Sequence, residues 1–170
     1  MRELPKRKSI RVENYDYSLP GMYFIAICTA NREKIFWHNR RGDLRSPANV
    51  PLSAIGKIAN DEIQKLNSIY TAVYIDKFCI IPDHIHMILI SNTDIDGRTQ
   101  FAPTVSRVIK QFKGSITKQI GCSIWQKSFY EHTIRNQQDY YEIWEYIENN
   151  PVKYMLKQTP FLTVSVLTYT

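Results

Sequence analysis

Long apolar runs are missing from this chain, and no stretch approaches the roughly 18 residues that a membrane-spanning helix needs. Cysteine is scarce. Cys28, Cys79 and Cys122 are odd in number, far apart and form no C-x-x-C pair, which excludes a disulfide framework or a zinc finger and leaves them as small core residues. There is no low-complexity tract and no internal repeat. The first 18 residues are polar throughout and lack the apolar segment of a secretory signal, so a cytoplasmic location is expected. What is present fits one domain over 1–170, with a core from about residue 10 to 157: 44% apolar and 22% charged residues are ordinary globular usage. Acidic residues are outnumbered, 16 against 22 Lys and Arg, and the net charge of +6 favours a polyanionic partner, although many basic proteins bind none.

The run from Met22 to Ala30 follows the turn signal Leu19-Pro20-Gly21 and is rich in β-branched and aromatic residues, so it predicts a buried strand. Residues 37 to 52 keep no apolar period and read as a surface excursion. Ala54-Ile55, Ile58-Ala59, Glu62-Ile63 and Leu66 then recur at helical spacing behind Ser53, a natural N-cap, and the helix should end near Ser68. Tyr70 to Ile80 and Ile85 to Ser91 form a strand pair around Pro82. Residues 92 to 102 read as a loop. Val105, Val108-Ile109, Phe112 and Ile116 mark a second helix closed by Gly121, and Cys122 to Trp125 and Phe129 to Ile134 are short strand-like pieces. A third helix opens at Asn136, with Asp139 as a shortened capping box, and should span about 137 to 149 before Pro151 closes it. Strand, helix, strand, strand, helix, strand is the α+β ferredoxin-like split βαβ order, an antiparallel sheet with helices on one face, here with a C-terminal helix appended.

His84 and His86 open the otherwise apolar strand of Pro82-Asp83-His84-Ile85-His86-Met87. Side chains alternate along a strand, so the two imidazoles share one face with Cα atoms roughly 6.5 Å apart. Either they are ordinary half-buried histidines or they share one metal ion. Imidazoles alone suit zinc, copper, iron or nickel, and a third, oxygen ligand would shift the choice towards magnesium or manganese. A closed zinc site needs two further ligands; Cys79 is one candidate, without a partner at metal-site spacing, so an open site fits better.

On the third helix Tyr140, Ile143, Trp144 and Ile147 make the core-facing stripe. Glu142, Tyr146 and Asn150 follow one flank of it, and the one-turn spacing of Tyr146 and Asn150 lets a phenol and an amide converge. A phenol ionises only near pH about 10, so it attacks phosphorus well only with help from a base or a metal. The bland alternatives are a surface tyrosine, one of 11, and a simple helix stop at Asn149-Asn150-Pro151.

Taken together these segments resemble the IS200-like Y1 transposases of the HUH superfamily, and within them the REP-associated tyrosine transposases. The matching residues are Asn14-Tyr15-Asp16-Tyr17, Gly21-x-Tyr23-Phe24, Pro82-Asp83-His84-Ile85-His86, Trp125-Gln126, His132-x-Ile134-Arg135-Asn136 and Tyr146-Ile147-x-Asn149-Asn150-Pro151-Val152-Lys153. The resemblance implies that His84, His86 and Asn150 bind a divalent metal, Mg2+ or Mn2+, and that Tyr146 is the nucleophile. It implies cleavage and rejoining of single-stranded, hairpin-forming DNA through a 5′-phosphotyrosine, by a monomer or homodimer. An asparagine as third ligand, where IS200 transposases proper commonly have glutamine, points to the REP-associated branch.

Within that frame Arg107, Lys110, Lys113 and Lys118 lie off the apolar stripe of the second helix, as a phosphate-binding or a merely solvated face. Gln126, Lys127, His132 and Arg135 fall near the expected site and are candidates for base or phosphate contacts. Two other readings stay open: a catalytically inactive DNA-hairpin-binding protein derived from a transposase, and a metal-dependent phosphodiesterase in which water attacks.

Overall fold

The run after Pro20 forms strand β1 (Gly21–Cys28) in the computed structural model, which describes residues 20–38, 52–92 and 104–158. Asn14-Tyr15-Asp16-Tyr17 and most of the two expected loops lie outside the described residues. Alternation along β1 is strict: Tyr23, Ile25 and Ile27 are buried, whereas Phe24, Ala26 and Cys28 are half-buried on the other face. The expected hairpin follows as β2 (Val73–Ile81) and β3 (His84–Ser91), with Pro82-Asp83 as its turn. With β4 (Tyr130–Ile134) these build one sheet in the order β2-β3-β1-β4, every neighbouring pair antiparallel. This is the ferredoxin-like arrangement.

Helices α1 (Ala54–Ile69) and α2 (Val105–Ile120) pack on each other and close the core over Tyr23, Ile25, Ile27, Ile85, Met87 and Leu89. Ser53 caps α1 as expected, its Oγ accepting from Gly56 N at 3.0 Å while donating to Ile35 O at 2.5 Å. Glycine is required at 56, because a Cβ there would overlap the Phe36 carbonyl. Glu62, buried on α1, accepts from Lys65 Nζ at 2.6 Å and from Gln119 Nε2 of α2 at 2.8 Å. Burial works against its charge, but the donors of Lys65, Ser115 and Gln119 prevail and hold the carboxyl below its ordinary range. Thr104 caps α2 and Gly121, at φ 83°, ends it in the left-handed conformation glycine favours.

Helix α3 (Gln137–Gln158) departs from the sequence expectation: it runs through Pro151 instead of ending before it. Proline there removes one backbone donor, but Ile147 before it and Met155 after it are both buried, and Tyr154 meets the Trp37 ring at 5.5 Å. Burial on both sides of the proline outweighs one missing hydrogen bond. Its start is as expected, with Asn136 Oδ1 accepting from Asp139 N at 2.9 Å.

Other expectations are corrected. Trp144 is exposed, not core, with Lys77 Nζ 3.9 Å above its ring. Trp37 is buried, not part of a surface excursion, and its Nε1 donates to Ile80 O at 2.7 Å. Of the piece from Cys122 to Trp125 only Trp125 pairs, in a single bridge to Thr29, and Cys122 is exposed. Among the described residues no helix is long and apolar enough to cross a membrane.

Candidate functional site

The sheet face away from α1 and α2 carries the site. In the antiparallel register His86 stands between Cys79 of β2 and Ala26 of β1, with Tyr130 of β4 beyond Ala26, and His84 stands between Ile81 and Cys28. Small side chains at 26 and 28 leave a depression beside the two imidazoles, whose ring centroids are 4.5 Å apart. A cavity of about 440 Å³ opens there, lined by Phe24, Ala26, Cys28, Arg32, His84, His86, Tyr130 and Tyr146.

Burial sets the state of both histidines. It pushes His86 down to about 3, with the neighbouring His84 adding to the effect, and it lowers His84 against the pull of Asp83. Both are therefore neutral near pH 7 and offer lone pairs rather than charge. His84 Nδ1 donates to Asp83 Oδ1 at 2.6 Å, so its Nε2 is the nitrogen left unprotonated.

Helix α3 supplies the opposite wall from the same chain. The Tyr146 ring centroid is 5.3 Å from that of His86 and 6.0 Å from that of Phe24, and the phenol is 43% exposed, open to an incoming group. One turn on, the Asn150 amide reaches His86 Nδ1 at 3.4 Å. Amide oxygen and nitrogen are interchangeable by a half-turn of the side chain, so either atom can be presented. Among the described residues no three His, Cys, Asp or Glu side chains group as a metal site. Two neutral imidazoles and one amide are nonetheless a donor set that fits a divalent ion with positions open to substrate. Cys79, opposite His86 in the register, is buried and does not line the cavity, and burial pushes its thiol up to about 12.

The basic candidates divide by position. Arg107, Lys110 and Lys118 are exposed on α2, across the sheet from the cavity. Lys113 is turned inward: its ammonium donates to the carbonyls of Gln126 and Ser128, each at 3.0 Å, and burial lowers its pKa. Gln126 and Lys127 are exposed at the cavity end of the sheet, where Gln126 N donates to Cys28 O at 2.9 Å. His132, opposite Phe24 in the register, pairs with Asp139 at 3.0 Å, and Arg135 is exposed beside it.

Arg32, Asp83 and Tyr130 line or brace the site without having been assigned a role from sequence. Tyr130 was legible, since it alternates with His132 on one strand. Arg32 was not, because it enters through a short 3-10 turn, Ala30–Arg32, whose Asn31 and Arg32 both have positive φ.

No protein-family profile matches the chain. An uncharacterised Haemophilus influenzae protein is 30% identical over 165 residues, covering 86% of this chain and 88% of that one. A REP-associated tyrosine transposase of Escherichia coli is 35% identical over 117 residues, 68% of this chain and 62% of the relative. The solved structure of a REP-associated tyrosine transposase bound to a REP hairpin superposes with a TM-score of 0.55 at 25% identity, over 85% of this chain and 74% of that one.

Proposed function

This chain belongs to the IS200-like Y1 transposase family, and on that premise we propose that it cleaves and rejoins single-stranded DNA near a hairpin, with Tyr146 as nucleophile and Mg2+ or Mn2+ as cofactor. The observation that carries this reading is the convergence of Tyr146 and Asn150, one helical turn apart, on the imidazole of His86. A hairpin-forming strand is the partner, by analogy with the solved relative bound to a REP hairpin.

His84, His86 and Asn150 would hold the divalent ion, which when bound supplies Lewis-acid stabilisation of charge at the phosphate and the departing oxygen. The remaining work falls to the chain's own side chains. Tyr146 Oη forms a bond to phosphorus as the bond to the 3′ oxygen breaks; the phenol gives up its proton and the 3′ oxygen gains one. The product is a 5′-phosphotyrosine with a free 3′-hydroxyl. One phosphodiester has replaced another, so the 3′-hydroxyl can reverse the step without an external energy source. Packing of Tyr146 against Phe24 and His86 fixes the approach of the phenol before substrate arrives.

The test is a hairpin oligonucleotide with a single-stranded flank, incubated with Mg2+ or Mn2+ and run under denaturing conditions. A protein–DNA adduct is expected with the wild type and none with Tyr146→Phe. An adduct that survives the substitution overturns the assignment. Cleavage in Tyr146→Phe that leaves free 5′ ends makes water the attacking group, and binding without cleavage makes the protein a hairpin-binding module.

A further inference from the structure

We propose that Arg32 is the phosphate-binding cation of the cleft, held over it by the left-handed turn that follows β1. The inference rests on the strand-cleavage reading and adds a side-chain cation that would share the charge of the phosphate with the divalent ion.

Of the described residues that line the cavity, Arg32 is the one cation. The other described linings are Phe24, Ala26, Cys28, Tyr130, Tyr146 and the two histidines assigned to the divalent ion, so among the described residues a phosphodiester entering this space meets no other lysine or arginine on its walls. A diester carries one negative charge, and the five-coordinate arrangement formed as Tyr146 attacks carries more. A guanidinium suits both states, because its planar fork can donate to two phosphate oxygens at once.

The backbone points the same way. Asn31 and Arg32 sit at φ 51° and 58°, a region that costs a side-chain-bearing residue about 1–2 kcal/mol. The surrounding hydrogen bonds hold them there. Thr29, fully buried, donates from its backbone N to Asp83 O at 3.0 Å, and its hydroxyl is shared between Asp83 O and Glu33 O. Ala30 N donates to Ile124 O at 2.8 Å, and Glu33 N closes the turn on Ala30 O at 3.1 Å. Glycine would occupy such a turn at lower cost, so backbone geometry does not account for an arginine at 32. Its side chain is 55% exposed and meets Asp83 Oδ2 at 3.6 Å, a single long contact that leaves most of the fork uncommitted.

Arg32→Gly separates the two roles of the position, since glycine keeps the turn and removes the cation. It should melt at or above the wild-type temperature, yet lower the single-turnover rate of adduct formation by about 100-fold or more. Arg32→Lys, with charge but no fork, should recover part of that rate. A binding measurement isolates the phosphate contact: hairpin oligonucleotides each carrying one neutral methylphosphonate are scanned along the single-stranded flank. Wild type should lose about tenfold or more in affinity at one position, and Arg32→Gly should show no loss there. Adduct formation by Arg32→Gly within threefold of wild type, or the same methylphosphonate profile in both proteins, overturns the proposal. Should the wild type form no adduct, the strand-cleavage reading fails, while the methylphosphonate scan still reports whether Arg32 meets a phosphate.

Discussion

His84 donates from Nδ1 to the Asp83 carboxylate at 2.6 Å, and this one bond selects the tautomer that leaves Nε2 free to act as a ligand. Asp83 is itself fixed through its backbone, because its carbonyl accepts from Thr29 N at 3.0 Å. Its second oxygen faces Arg32, so one carboxylate relates the imidazole to the guanidinium.

Asp83→Ala should therefore weaken Mn2+ binding about 10- to 100-fold, measured by titration calorimetry, while the fold persists. Asp83→Asn, whose amide oxygen still accepts from Nδ1, should lose less. Equal affinity in Asp83→Ala and wild type would show that the tautomer is set elsewhere.

Lys113 and Lys110 are close in sequence and should behave in opposite ways. Lys113 holds the carbonyls of Gln126 and Ser128, so Lys113→Met should cost about 2 kcal/mol of stability in chemical denaturation. Lys110 is exposed on α2, and Lys110→Ala should leave stability within about 0.5 kcal/mol. On the phosphate-binding reading of the α2 face, Lys110→Ala should lower the slope of log Kd against log salt by about 1 with no change in the rate at saturating DNA, and an unchanged slope would make that face merely solvated.

Gly56→Ala tests the junction of α1 with the segment before it. The added methyl would press on the Phe36 carbonyl, which is fixed as the acceptor for Ser53 N at 2.9 Å. A loss of about 2–3 kcal/mol is expected, seen as a fall in Tm of about 5 °C or more.

Tyr140 gives a pH signature unrelated to chemistry at the cleft. Its hydroxyl donates to Asp76 Oδ2 at 2.6 Å; that bond to a carboxylate, aided by burial, pushes the phenol up to about 12. A raised folded-state value contributes stability that is whole below the ordinary phenol pKa of about 10 and is lost as pH rises through about 12. Tyr140→Phe should cost about 1 kcal/mol at neutral pH and show a flatter decline across that window in denaturant titrations.

Local chemistry determined much of this protein in advance. Period-two alternation put His84 and His86 on one face, helical spacing put Tyr146 and Asn150 on one flank of α3, and Ser53, Gly121 and Asn136 marked helix ends, because each depends on neighbours in sequence. The tertiary structure decided what depends on distant partners. Pro151 stays inside α3 because Ile147 and Met155 are buried on either side of it, and Trp37 is core because Ile80 and Tyr154 receive it. Lys113 turns inward because two carbonyls of the segment before β4 need a donor. Arg32 reaches the cleft only because Thr29, Asp83 and Ile124, brought together by the sheet, hold a left-handed turn that no local sequence signal announces. Hydrogen bonds between residues far apart in sequence choose that conformation, and they exist only once the sheet has formed.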